Sequence, residues 1–210
     1  MQFTTINANI LKSVYRARNA WAHKGDYGKL LVVGGGLGGF GAPFAVALAA
    51  FRSGSDYVKV FGPKGISVAS LLAVGIMFYE YSKPMLDAGS VEEIDKFKNW
   101  AKVIEIGNGI GTEGTKELVN HVVRTFNKVV LDADGIKVVD KNLIDSHVLI
   151  TPNSYEFSLL YGSAPSQDLE TRAKQVKELA NKHNCVVLLK GHYDIISDGK
   201  EIFVNKVNSV

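Results

Sequence analysis

Glycines in two tight clusters, a pair of aspartates and a lysine at the end of an apolar run stand where they could handle a phosphorylated ligand. Gly34-Gly35-Gly36-Leu37-Gly38-Gly39-Phe40-Gly41 follows the run Lys29-Leu30-Leu31-Val32-Val33 and precedes an alanine-rich stretch from Ala42 to Arg52. A turn of this composition between a strand and a helix exposes backbone N–H groups beside the positive helix end, and no side chain blocks a phosphate. A flexible loop that only lets helix and sheet pack closely would use the same glycines. The cluster fits neither familiar phosphate fingerprint: no Lys-Ser/Thr follows it, and no acidic residue closes the next strand at dinucleotide spacing. A second turn of this kind, Gly107-Asn108-Gly109-Ile110-Gly111, follows Val103-Ile104-Glu105-Ile106.

Asp132 and Asp134 sit at the end of the run Lys128 to Leu131. Their carboxylates could approach Mg²⁺ or a ligand hydroxyl, or serve only as turn and cap residues. Lys190 follows four apolar residues, which suits either a phosphate contact at a strand tip or a lysine snorkelling out of a buried strand. The five histidines, His23, His121, His147, His183 and His192, show no paired metal spacing, and no zinc site is expected. His121 and His183 read as surface or packing residues on helices, while His23 and His192 flank candidate loops. Trp21, Phe40 and Phe44 could stack on a ring, with core packing the default for each.

The elements that must hold these residues can be read from the apolar pattern. Strands are expected at Lys29 to Val33, Tyr57 to Phe61, Val103 to Ile106, Lys128 to Leu131, His147 to Thr151 and Cys185 to Leu189. Helices are expected at Ala42 to Arg52, closed by Gly54, and at Val91 to Trp100, about Thr115 to Thr125 and Asp168 to His183. A short packing helix that includes Val14, Ala17 and Trp21 is expected before them. Another helix starts after Pro152-Asn153-Ser154, with Glu156 as its N-terminal carboxylate. Val68 to Val74 fits either a helix or a buried strand. Tyr193 to Ser197, the Asp198-Gly199 turn and Glu201 to Val204 form a C-terminal hairpin. Continuous apolar strands alternating with helices predict a doubly wound, mostly parallel α/β sheet with helices on both faces. In such sheets ligands sit beyond the carboxyl ends of the strands, where the glycines, Asn and Asp collect here.

Length and composition fit one globular domain spanning 1–210: 210 residues suffice for a sizeable core, and 46% apolar with 21% charged residues argues against disorder. A net charge of +3 without basic blocks disfavours nucleic acid. No apolar run approaches a membrane span and Met1 to Ile10 lacks a signal-peptide pattern, so a membrane partner is not expected and the cytoplasm is. Cys185, inside an apolar run, reads as a core residue of a protein kept in a reducing compartment. Homo-oligomerisation is compatible with all of this.

The ordered segments resemble one family. Ala22-His23-Lys24-Gly25-Asp26-Tyr27-Gly28 leading into Lys29 to Gly35 is similar to the entry signature of the NAD(P)H-hydrate dehydratases, a branch of the ribokinase-like kinases. The likeness continues through Gly41-Ala42, Ala49 to Gly54, Ile106 to Gly111, Leu131 to Gly135, Leu149 to Phe157 and Leu188 to Gly191. The resemblance implies a ribokinase-like fold and a lyase of metabolite repair. Hydrated NADH or NADPH would lose water at the expense of ADP in bacterial and archaeal members, or ATP in eukaryotic ones, with Mg²⁺. Phosphorylating the ring hydroxyl makes it a good leaving group. By the same resemblance Ala42, Gly109 and Asn153 line the hydrated nucleotide, and Lys190, Gly191, His192, Tyr193 and Asp194 contact the adenine nucleotide. Asn153 replaces the histidine common in the family and keeps a hydrogen-bonding side chain. The family's Gly-Thr-Gly-Asp motif, with its catalytic aspartate, would lie beyond Val210. The chain is therefore expected to be C-terminally incomplete, with no catalytic residue of its own. A ribokinase-like small-molecule kinase and a non-catalytic nucleotide-binding module are the alternatives.

Overall fold

The computed structural model describes residues 3–15, 17–72 and 74–206. Val210, on which the expectation of an incomplete C-terminus falls, lies outside the described residues. In chain order the strands are β1 (Thr4–Thr5), β2 (Lys29–Val33), β3 (Tyr57–Gly62), β4 (Ile76–Glu80), β5 (Val103–Ile106), β6 (Val129–Leu131), β7 (Val148–Ile150), β8 (Val186–Leu189), β9 (Asp194–Ser197) and β10 (Ile202–Asn205). The helices are α1 (Ala8–Val14), α2 (Gly41–Arg52), α3 (Val91–Asp95), α4 (Lys116–Thr125), α5 (Ala133–Val138), α6 (Ser154–Tyr161) and α7 (Leu169–His183).

All ten strands join one sheet in the order β1-β10-β9-β8-β7-β6-β5-β2-β3-β4. From β4 to β8 every pairing is parallel, and β9 and β10 add the expected antiparallel hairpin. The chain leaves β2 toward β3 and β4, then returns to lay β5 on the other side of β2. That reversal is the topological switch point, the place where open α/β sheets hold ligands.

Alternation along the short strands sorts residues onto two faces. One face buries Leu31, Val33, Ile104, Ile106, Leu131, Ile150, Val187 and Leu189 in a continuous core that includes residues of α3 through α7. The other is covered by α2 over β2, β3 and β4, where Val32, Val58, Val60 and Ala47 are fully enclosed. Farther along this second face, Val130, Leu149, Val186, Leu188, Ile196 and Phe203 remain partly exposed. Ahead of β2, the segment around Gly25 and Tyr27 is anchored by Asp56, which accepts from both backbone amides at 2.9 Å and pairs with Arg18. These bonds hold the Asp56 carboxyl below the usual carboxylate range, the amide of Tyr27 first among them.

Several expectations are corrected. The N-terminal helix ends at Val14 and buries none of its residues; Ala17 and Trp21 lie outside it, and Trp21 is 88% exposed rather than packed. Val14, Ala17 and Trp21 have helical spacing but no apolar surface to meet, so spacing alone does not extend the helix. The helix beginning at Val91 is α-helical only to Asp95, and tight i to i+3 bonds carry the chain on to Trp100. Asp132 to Gly135, read as a turn, is instead the start of α5, with Asp132 at the N-cap position and Ala133 to Gly135 inside the helix. The ambiguous stretch near Val68 is a 3₁₀ helix over Ile66–Leu72, and it is followed by an extra parallel edge strand, β4. No helix among the described residues is long and apolar enough to cross a membrane.

Candidate functional site

The loops after β2 and β5 meet backbone to backbone at the switch point. The Gly35 amide donates to the Asn108 carbonyl at 2.8 Å. A Cβ on Gly34 would stand 2.8 Å from that carbonyl and 2.9 Å from Pro43 Cβ, and one on Gly36 would stand 2.6 Å from the Gly109 carbonyl. These glycines permit two polypeptide segments to touch, a sharper role than flexibility. Gly36→Ala is therefore expected to push the loops apart and lower stability by about 1–3 kcal/mol, read from denaturant unfolding. An unchanged midpoint would show that the loops yield freely.

Next to this contact the loop after β5 is tied to the start of α5. Gly107 has φ +133°, and a Cβ there would stand only 1.9 Å from the Asp132 carbonyl. The Asp134 amide donates to the Gly107 carbonyl at 3.1 Å, and the Asp134 carboxylate accepts from the Gly111 amide at 3.0 Å and pairs with Lys137 at 2.8 Å. Asp132 pairs with Lys190 across the ends of β6 and β8, Nζ to Oδ1 2.6 Å. Each aspartate is committed to this chain, Asp134 to the Gly111 amide and Lys137, and Asp132 to Lys190; Asp132 holds the N-cap position of α5, and its side chain makes no capping bond there. No cluster of three or more His, Cys, Asp or Glu that could hold a metal occurs among the described residues.

Lys190 thus extends from the strand tip toward the site, and its amide donates to the Pro152 carbonyl at 2.9 Å, binding the loops after β7 and β8 together. The Gly191 amide donates to Asp194 Oδ1 at 3.2 Å, and Asn205 donates to Oδ2 of the same residue at 3.4 Å. The rings of His192 and Tyr193 lie 4.5 Å apart. Arg172 of α7 reaches the Lys190 carbonyl and lies so close to Gly191 that a Cβ there would meet its Nη2 at 2.7 Å. The spacing gives no sign of this arginine, because α7 precedes the loop by a whole strand.

Ala42 lies exposed in the first turn of α2, Gly109 is exposed at the loop crest, and Asn153 is the exposed N-cap of α6. Asn153 Oδ1 accepts from the Glu156 amide at 2.9 Å, while Glu156 accepts from the Asn153 amide and side chain, so both polar ends of Asn153 serve the capping box. Four strand steps separate β2 from β8, about 19 Å at the usual interstrand spacing. Ala42 and Lys190 accordingly lie at opposite ends of the row of strand ends.

Glu105 is not among the residues that spacing singles out, although a carboxylate inside Val103-Ile104-Glu105-Ile106 is itself a signal. It is 4% exposed on the second face, in register with Val32 and Val130. Asn108 donates to its Oε1, and Oε2 has no partner. Burial first, then the nearby Asp132, push its carboxyl up to about 8; the Asn108 bond and Lys190 act the other way. Elsewhere, Cys185 is a buried thiol pushed up to about 12 by burial, as a core cysteine should be. Phe40 packs over Gly35 and Gly65.

Residues 30–210 match the family described as NAD(P)H-hydrate dehydratase. A bifunctional NAD(P)H-hydrate repair enzyme of Hyperthermus butylicus is 36% identical over 206 residues, covering 91% of this chain and 38% of its own length. The chain thus spans about two fifths of that relative. An ADP-dependent (S)-NAD(P)H-hydrate dehydratase of Nitrosopumilus maritimus is 32% identical over 207 residues, 95% of this chain and 72% of its own. Among solved structures, the ADP/ATP-dependent NAD(P)H-hydrate dehydratase of Bacillus subtilis, co-crystallised with ATP and Mg²⁺, superposes with a TM-score of 0.78 over 100% of this chain and 74% of its own, at 21% identity. That likeness supports the ribokinase-like fold.

Proposed function

Since the chain belongs to the NAD(P)H-hydrate dehydratase family, we propose that it serves the nucleotide-driven dehydration of hydrated NADH or NADPH. The observation that carries this reading is the continuous strip along the strand ends, with glycine loops in mutual contact at one end and the Lys190–Asp132 pair at the other. Ala42, Gly109 and Asn153 would face the hydrated nucleotide, where bare backbone lets a pyrophosphate approach N–H groups. Lys190, Gly191, His192, Tyr193 and Asp194 would hold ADP or ATP, with the Lys190 ammonium exchanging Asp132 for phosphate oxygens. The nucleotide would supply the phosphoryl group that turns the ring hydroxyl into a leaving group. The chain's described side chains form no metal cage, so Mg²⁺ would be carried by the phosphates.

Asp132, Asp134 and Asp194 are all engaged within the chain. None stands free as a base at this edge. That observation favours a second reading, a module that binds nucleotides without turning them over. Incubation with hydrated NADH and either ADP or ATP, followed by dihydropyridine absorbance, separates the two. Recovery of absorbance supports the dehydratase. Calorimetric binding of ADP without recovery supports the module, and neither recovery nor binding would remove both.

A further inference from the structure

Glu105 lies directly beneath the strip, and the chain offers it little help as an anion. It occupies the middle of a central strand, its Oε2 meets no donor, and the nearest fixed charges are an aspartate and a lysine that are themselves paired. An isolated buried carboxylate is costly, so such a group holds its proton unless a cation stabilises the charge. Just after β6 the titratable group near it is Asp132; after β8 it is Lys190; on the loop that follows its own strand the polar partner is Asn108. β2 brings Val32 alongside it, and α2 carries no titratable residue before Arg52. Lys190 is therefore the cation that eases its ionisation.

We propose that Glu105 is a positioning residue that couples nucleotide binding to proton uptake: when phosphates draw Lys190 away from Asp132, Glu105 takes a proton from solvent. This rests on the assignment of Lys190 to the adenine nucleotide. The balance is simple. Binding brings anionic phosphate to Lys190 and leaves Asp132 without its counter-charge, so two negative groups now stand near Glu105 where one ion pair stood before. One buffer proton neutralises the carboxylate, and no bond in the nucleotide changes. The protonated acid keeps its bond from Asn108, whose carbonyl accepts from Gly35. The junction of the two glycine loops is thereby held in one arrangement while the nucleotide is bound.

Titration calorimetry of the full chain with ADP near pH 8, in two buffers of different ionisation enthalpy, measures the protons exchanged. If binding raises the proton affinity of Glu105 tenfold, about 0.4 proton is taken up per ADP. At pH 6 Glu105 is already protonated and its uptake vanishes. Glu105→Gln should bind ADP with no uptake near pH 8. Carbon NMR of the Glu105 carboxyl, which needs no variant, should show its titration midpoint rising when ADP is added. Equal uptake in the unsubstituted and Glu105→Gln proteins, or an unmoved carboxyl midpoint with ADP bound, overturns the coupling and leaves the nucleotide site standing. Absence of ADP binding overturns the site assignment and the coupling with it.

Discussion

Glu105→Gln should resist denaturant better than the unsubstituted chain at pH 8, by a margin that shrinks as the pH falls toward 5. The carboxyl titrates near 4.5 when the chain is unfolded and is pushed up to about 8 in the fold. Between those values the unfolded state releases a proton that the folded state keeps, so raising the pH favours unfolding. Stability from this group is complete below about 4.5 and is lost progressively until the pH passes about 8. The difference between the two proteins should therefore change by about 3 kcal/mol from pH 5 to pH 8, at roughly 1.4 kcal/mol per pH unit over most of the interval. Glutamine retains an acceptor for Asn108 but buries an unpartnered amide group, which adds a constant offset without altering the slope. Denaturant unfolding of both proteins across this pH range gives the comparison. A flat difference would mean that Glu105 is ionised in the fold and that a cation beside it stabilises the charge.

The second large effect falls on a glycine. Gly107→Ala places a methyl carbon where the Asp132 carbonyl already stands, 1.9 Å from its oxygen, at a φ of +133°. The neighbours are backbone on both sides, with the Gly135 amide 2.8 Å from the same point, so no side chain can swing aside. Strain and displacement together should cost at least about 4 kcal/mol, a large share of the stability of an ordinary domain. For a chain of this size the loss corresponds to a fall in Tm of roughly 10 °C or more. Gly109→Ala is the natural comparison. It too has a positive φ, +71°, but its nearest neighbour would be 3.8 Å away, so it should cost only about 1–2 kcal/mol. Thermal unfolding of the pair checks the ordering, and similar losses would show that the β5 loop and the start of α5 move apart at little cost.

Much of the frame is legible because the strands beside the switch point, β2 and β5, are largely enclosed on both faces. Lys29 to Val33 and Val103 to Ile106 have the observed bounds, since a strand covered on both sides shows a near-continuous apolar run, with Lys29 and Glu105 the exceptions here. Helix α7 is legible from the stripe of Ala173, Val176, Leu179 and Ala180, all buried. At Trp21 the pattern misleads, because a helical stripe is informative only when something covers it. The start of α5 escapes notice because Asp-Ala-Asp-Gly has the composition of a turn; Gly135 is there to let Ile106 and Gly107 come close, a demand made by the fold and invisible in local sequence. In the site, the glycine loops and Lys190 are legible as candidates. The meeting of Asp132 with Lys190 across 58 residues of chain is not, nor is the place of Glu105 below them. Both depend on strand order, which a single sequence does not disclose.

The edge strand β1 has a consequence of another kind. Thr4 and Thr5 lie parallel to Phe203 and Val204, and the Ile6 amide donates to the Val204 carbonyl at 2.9 Å. Among the described residues, the first strand to be synthesised thus has the last one as its neighbour. It must wait, unpaired, while some two hundred residues are added, and at typical elongation rates that takes on the order of ten to forty seconds. The sheet can grow outward from β2 in the meantime, but its far edge closes only after translation has passed β10.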